Sequence, residues 1–248
     1  VTVVNYIEER DCLAASWPEC DVIITDPPYS EHTHTRSWGS NFLTKGMKRA
    51  DINIYHRELG FEHLTLETMR AVARETARAC RRWSIFFCDF YVHHLWVAEL
   101  EAAGLEYVRT LVWDKVDGAP QFTGDRPAAG AELAVLAHRP GRKRWNGGGR
   151  RNVFRHGQAA DRSPHPTTKP LALMLELVGL FSEPGELVLD PFAGSGSTGA
   201  ACLRLGRRFL GYERDPRWAE LARKRLGAEM SGSTLKAALA GQVPLFGK

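Results

Sequence analysis

Val22-Ile23-Ile24 and Leu187-Val188-Leu189 are unbroken runs of β-branched and aliphatic residues. They lack the in–out alternation of a strand that faces water on one side. Strands of this kind are buried on both faces, as in a parallel sheet covered by helices above and below. The rest of the chain agrees. Strand-like segments fall at Val1–Ile7, Asp21–Thr25, Trp83–Asp89, Tyr107–Asp114, Glu132–Ala137, Glu186–Asp190 and Arg208–Tyr212. Helical periodicity falls between them, at His63–Arg81, Tyr91–Ala103, Lys169–Phe181, Ser197–Leu205 and Pro216–Leu226. Gly104, Gly206 and Gly227 sit just past three of these helices, where a left-handed cap is favoured, and Pro170 and Pro216 sit near the start of two. The alternation predicts an α/β fold: one mostly parallel, seven-stranded sheet with helices on both faces. A single domain is expected over 1–248, ending in a tail over 228–248.

Two stretches break the alternation and read as loop insertions, 30–60 and 139–162; loops this long in a compact domain are uncommon unless they are functional or disordered. The second holds eight Arg or Lys against the single acid Asp161. The formal charge of the chain is only +4, so everything outside that segment carries 25 bases and 28 acids, a net of −3. A mildly acidic body therefore bears one basic arm. Gly147, Gly148 and Gly149 at its centre suggest flexible backbone. The arm reads either as a solvated loop or as a phosphate-contacting segment with Trp145 free to stack on a base. No run of about 18 apolar residues exists to cross a membrane. Five cysteines without CxxC pairing argue against a disulfide framework or zinc ribbon, and the acidic start VTVVNYIEERDCL is unlike a secretory leader. A cytoplasmic protein is expected.

Ligands of open α/β sheets gather beyond the carboxyl ends of the strands. Two apolar strands end there in unusual chemistry. Leu187-Val188-Leu189-Asp190 runs into Pro191-Phe192-Ala193-Gly194-Ser195-Gly196-Ser197-Thr198, a glycine-rich turn that opens a helix. Such a turn lets backbone approach a ligand and offers helix N–H groups to an anion. Glu213, at the end of the next strand, stands where a ribose diol would find its acceptor. Gly194-x-Gly196-x-x-Gly199 alone also fits a nicotinamide dehydrogenase, but only about fifty residues follow it, too few for a second nucleotide-binding half. Earlier, Asp21-Val22-Ile23-Ile24-Thr25 is cut off by Asp26-Pro27-Pro28-Tyr29. Two prolines force a rigid turn. That turn presents a carboxylate and the Pro27 carbonyl, two acceptors suited to the N–H bonds of an exocyclic amino group. Tyr29 beside them can stack on the base that bears it.

These residues resemble the DNA amino-methyltransferases that use S-adenosylmethionine (AdoMet). Asp26-Pro27-Pro28-Tyr29 is similar to their catalytic tetrapeptide, Asp190–Thr198 to their AdoMet loop, and His165-Pro166-Thr167-Thr168-Lys169-Pro170 to their HPTQKP block, with Thr168 for Gln. Val112-Trp113-Asp114-Lys115 resembles their W-x-K strand. The tetrapeptide precedes the AdoMet loop, which is the circularly permuted order of the family's β group. The resemblance implies a Rossmann-like methyltransferase fold, with Asp26, Pro27, Pro28 and Tyr29 catalytic. It implies cofactor contacts at Asp11, Cys12, Asp26, Thr167, Lys169, Asp190, Phe192, Ala193, Gly194, Gly196, Ser197, Thr198 and Glu213. Thr167 and Lys169 would lie near the cofactor carboxylate.

The implied partner is DNA, with the target base flipped out of the duplex because its amino group is inaccessible in the stack. His32, His34, Arg36 and Trp38, with Ser37 and Asn41, would contact that base or its neighbours. Arg142, Lys143, Arg144, Arg150 and Arg151 occupy the region of the family's target-recognition segment, and neutralising the first three should flatten the salt dependence of binding. The segment is short, so few base pairs are read or a second subunit assists as a homodimer. His32/His34 and His93/His94 lack accompanying Cys or acid at ligand spacing, and no metal is expected. Asp at the head of the tetrapeptide favours adenine N6 as the target, with cytosine N4 the alternative and an RNA amino-methyltransferase less favoured.

Overall fold

The computed structural model describes residues 5–28, 64–118, 120, 124–158 and 168–240. Its strands are β1 Tyr6–Glu9, β2 Cys20–Thr25, β3 Cys80–Cys88, β4 Glu106–Asp114, β5 Ala131–His138, β6 Val153–Arg155, β7 Leu187–Asp190 and β8 Arg208–Glu213. They form one sheet in the order β1-β8-β7-β2-β3-β5-β4-β6. All pairings are parallel except those of β5, which runs against both β3 and β4. The two apolar runs are neighbours, with Val22 opposite Val188 and Ile23 opposite Leu189. None of Val22, Ile23, Ile24, Val188 and Leu189 is exposed at all.

The helices are α1 Leu66–Ala79, α2 His93–Ala102, α3 Leu171–Phe181, α4 Ser197–Arg204, α5 Pro216–Ser231 and α6 Leu235–Leu239. Alternate residues of each strand feed two cores. Ile7, Val22, Ile24, Ile85 and Phe87 pack with Leu173, Leu177 and Leu226 of α3 and α5. Ile23, Phe86, Cys88 and Leu189 pack with Met69, Val72 and Trp96 of α1 and α2 on the other face. Local signals set the helix ends. The Thr65 hydroxyl accepts from the Thr68 N–H at the start of α1, and Asp215 caps α5 ahead of Pro216.

Three expectations need correction. The sheet has eight strands among the described residues, not seven, because Val153–Arg155 adds an edge strand beside β4. Three residues inside a basic run are too short to show periodicity. The segment 228–240 is not a tail: α5 runs through Gly227 to a left-handed cap at Gly232, and α6 packs back on it. The third correction concerns the basic arm. Over 139–158 it is a strap bound to the sheet. Arg139 N–H donates to the Arg82 carbonyl at 2.9 Å, Asn146 N–H to Leu180 at 2.9 Å, and the Trp83 indole to the Arg144 carbonyl at 2.5 Å. Trp145 is not free to stack on a base, because its ring lies 5.2 Å from that of Phe181. It folds back over Gly147, where a Cβ would stand 2.2 Å from the ring, and its indole N–H donates to Gly148 at 2.7 Å. The glycines permit a tight turn under an aromatic ring rather than mobility.

Among the described residues no helix is long and apolar enough to cross a membrane. Because Trp145 anchors the strap, Trp145→Ala should lower the unfolding free energy by about 3 kcal/mol. Urea denaturation measures this, and a loss under about 0.5 kcal/mol would restore the solvated loop.

Candidate active site

After β2 the chain turns towards β3, and after β7 it turns the other way, towards β8. The gap between β2 and β7 is therefore a topological switch point, the crevice where open α/β sheets bind ligands. Both unusual segments lie at its rim. Thr25, the last residue of β2, donates its hydroxyl to Asp190 Oδ1 at 2.7 Å. Asp190 closes β7 and accepts at Oδ2 from the Thr198 hydroxyl of α4, also at 2.7 Å, and at Oδ1 from Phe192 N–H at 3.1 Å. One carboxylate thus ties the two strand ends and the glycine turn together. Asp190 is 3% exposed, and burial pushes its carboxyl up to about 6 against the lowering effect of those three donors.

The glycine turn is fixed from both sides. Ala193 N–H donates to Tyr212 at 2.9 Å, and Gly196, with φ of 76°, forms the N-cap of α4. No side chain caps that helix, so its first N–H groups are offered to a ligand. Gly199 allows α4 to lie against β8, since a Cβ there would stand 2.7 Å from Phe209. Glu213, at the end of β8, accepts from Gly194 N–H at 2.9 Å and Asp215 N–H at 2.8 Å. A carboxylate has about four lone-pair directions, which leaves capacity for a diol. Burial holds the Glu213 carboxyl above the usual carboxylate range.

β1 ends beside Glu213, where Arg10 N–H donates to the Glu213 carbonyl at 2.9 Å. Asp11 and Cys12 follow at once. Asp11 caps a short 3-10 turn over Cys12–Ala14, and burial pushes the Cys12 thiol up to about 12. Asp11, Cys12, Asp190, Phe192, Ala193, Gly194, Gly196, Ser197, Thr198 and Glu213 are thereby gathered along the carboxyl ends of β1, β8 and β7. Asp26, Pro27 and Pro28 stand next to them after β2. Tyr29, His32, His34, Arg36, Trp38 and Thr167 lie outside the described residues.

Lys169 occupies a place the sequence did not suggest. Its ammonium lies 2.5 Å from Asp26 Oδ2 and 3.2 Å from Glu132 Oε2, with the side chain 6% exposed. Burial alone would lower the lysine, but the two carboxylates outweigh it and hold the charge. The neighbouring Thr168 hydroxyl donates to Ser195 at 3.1 Å, so this short segment touches both the Asp26-Pro27-Pro28 turn and the glycine loop. Glu132 was missed as a site residue. Its signal was available: it is the one acid within the strand sequence AELAVLAH, at the end that faces the site.

Over 139–144 the basic arm lies away from the site, whereas its β6 portion runs up to the carboxyl end of β4. β5 runs antiparallel and delivers residue 139 to the amino ends of the parallel strands. Arg144 stands beside Trp83, five residues of β3 or about 16 Å from Cys88 at the site end. Lys143 pairs with Glu106, Arg144 with Glu186, and Arg150 with Glu176 of α3. Arg142 and Arg151 are exposed. Charge counting located the bases but not their partners or their end of the sheet. No cluster of three or more metal-ligating side chains occurs among the described residues.

A family model for DNA methylases of the N6/N4 type matches residues 141–224. The type II methyltransferase M.HpaI of Haemophilus parainfluenzae is 27% identical over 235 residues, covering 86% of this chain and 69% of that protein. M2.DpnII of Streptococcus pneumoniae is 28% identical over 151 residues, 52% of this chain and 54% of that one. The crystal structure of M1.HpyAVI with SAM superposes with a TM-score of 0.67 at 24% identity, covering 89% and 98%, a likeness of fold.

Asp190 makes stability depend on pH. Its folded value lies above the unfolded one, so the folded protein binds the proton more tightly, and stability is lost as pH rises from about 4 to about 6. Relative to Asp190→Asn, the parent should lose on the order of 2–3 kcal/mol across that interval. Urea midpoints at pH 4.5 and 7.5 measure it, and parallel curves for the two proteins would contradict the burial.

Proposed function

We propose that this chain, a member of the DNA amino-methyltransferases, transfers a methyl group from AdoMet to the exocyclic amino group of a base flipped out of DNA, with adenine N6 favoured and cytosine N4 the alternative. The observation that carries this is the hydrogen bond from Thr25 to Asp190. It sets an acceptor pair, Asp26 and the Pro27 carbonyl, beside a glycine loop at one switch point.

The residues present fit AdoMet. The uncapped amino end of α4 suits an anionic group, and Glu213 suits a ribose diol. Phe192, Ala193, Gly194, Gly196, Ser197 and Thr198 would enclose the methionine part, Asp11 and Cys12 the adenine, and Thr167 would lie near the carboxylate. When bound, AdoMet supplies an electrophilic methyl group on a sulfonium.

The amino nitrogen of a base is a poor nucleophile because its lone pair is delocalised into the ring. Asp26 and the Pro27 carbonyl accept its two N–H bonds and favour a pyramidal nitrogen with its lone pair freed. Pro27 and Pro28 hold those acceptors rigidly, and Tyr29 stacks on the base. Positioning and electrostatics supply most of the rate. No thiol is needed as a nucleophile, and all five are buried.

Asp26→Ala should lower methyl transfer by at least about a hundredfold while AdoMet affinity changes little. Tritium transfer and calorimetry read the two, and undiminished turnover would refute the assignment. Parallel assays on duplex DNA, single-stranded DNA and RNA identify the nucleic acid. Since residues 142–144 sit at the opposite end of the strands from the site, changing Arg142, Lys143 and Arg144 together to Gln should leave the salt slope of DNA binding unaltered. A slope shallower by about 2–3 would return them to the DNA surface.

A further inference from the structure

Four charged side chains form an alternating chain from the catalytic turn to the antiparallel half of the sheet. Lys169 Nζ lies 2.5 Å from Asp26 and 3.2 Å from Glu132, and Lys115 Nζ lies 2.5 Å from Glu132. To reach both carboxylates Lys169 crosses β3, its ammonium 5.0 Å from the centre of the Phe87 ring. Lys115 in turn lies 4.9 Å from the Trp113 ring. Lys169, Glu132 and Lys115 have side chains 6%, 18% and 16% exposed. Three segments far apart in sequence, around residues 26, 115 and 169, are thus joined through Glu132.

We infer that Lys169 is a positioning residue for Asp26, held in place by Glu132 and Lys115, rather than a contact to the cofactor carboxylate. The inference rests on the proposed amino-methyl transfer. An acceptor for an amino N–H must stay ionised and stay aimed. A buried lysine touching it does both, since the cation favours the carboxylate and the ion pair fixes its direction. It also keeps Asp26 a weak base, so the carboxylate accepts hydrogen bonds without taking the proton from the neutral amine. Removing one member of such a set leaves uncompensated charge in a largely buried site, which is the costly change. Among the described residues, ionisable groups that face Asp26 are Lys169 ahead of α3, Cys88 of β3 and Asp190 of β7, with Glu132 of β5 beyond the lysine. Apart from Lys169 these are acids or a thiol, and the lysine opposes their charge.

The test uses the full chain with Lys169→Met, Lys169→Arg and Glu132→Gln. Lys169→Met should cut kcat at least thirtyfold while AdoMet affinity by calorimetry stays within threefold. Its rate should also acquire a limb that rises with pH, absent from the parent. Lys169→Arg should remove that limb by restoring a cation, and Glu132→Gln should cut kcat less than Lys169→Met does. If Lys169→Met instead weakens AdoMet tenfold or more and leaves kcat at saturation unchanged, the lysine belongs to the cofactor and the inference falls. A second readout needs no activity. The Lys169 side-chain carbon resonance, assigned by its loss in Lys169→Met, should titrate above an ordinary lysine in the parent and below it in an Asp26→Asn, Glu132→Gln double variant. An unmoved titration would overturn the ion-pair chain even if the parent methylated nothing. A moved titration in a parent without transfer activity would reject the methyl-transfer function instead.

Discussion

The hydrogen bond from Thr25 to Asp190 joins positions 165 residues apart, and the site depends on it. It adds a side-chain tie at the ends of two paired strands from which the chain leaves in opposite directions. Without it the Asp26-Pro27-Pro28 turn and the glycine loop would share a rim but no buried side-chain link. With it they share one buried carboxylate, which also accepts the Thr198 hydroxyl at the start of α4. A single desolvated acid therefore adds to the strand pairing in fixing the relative position of the Asp26-Pro27 turn and a helix N-terminus. The cost of burying it appears as its raised pKa, and three donors offset that cost in part.

Asp26 and Asp190 are acids a few side chains apart, treated oppositely by their surroundings. Among the described residues Asp190 is enclosed by hydroxyl and amide donors and meets no cation, an arrangement that fixes geometry and leaves the group easier to protonate. Asp26 meets an ammonium, an arrangement that preserves charge. Hydrogen bonds serve the carboxylate that holds structure, and an ion pair serves the one that would receive substrate. Glu213 follows the first pattern, held by two backbone N–H groups at the edge of the site.

Much of this was legible in the sequence. Unalternated apolar runs gave a parallel sheet because a strand covered on both faces has no polar side to display. Asp26-Pro27-Pro28 and the glycine turn could be placed at the strand ends because prolines and glycines end strands for steric reasons. The basic arm was misread for an equally physical cause. Counting charge ignores Glu106, Glu176 and Glu186, which lie far away in sequence and meet Lys143, Arg150 and Arg144 only after folding. The three glycines suggested freedom, yet the Trp145 ring requires Gly147 and the positive φ favours Gly148. Glu132 was overlooked because a half-buried acid at a strand end gains meaning only when Lys169 arrives across β3.

The central claim is that this crevice methylates an exocyclic amino group of a DNA base. Incubating the protein with duplex DNA and methyl-labelled AdoMet, then digesting the DNA to nucleosides for mass spectrometry, tests it most directly. The account predicts label on an amino nitrogen, as N6-methyladenine first and N4-methylcytosine otherwise. Label on a ring carbon, or none on any base, would contradict it.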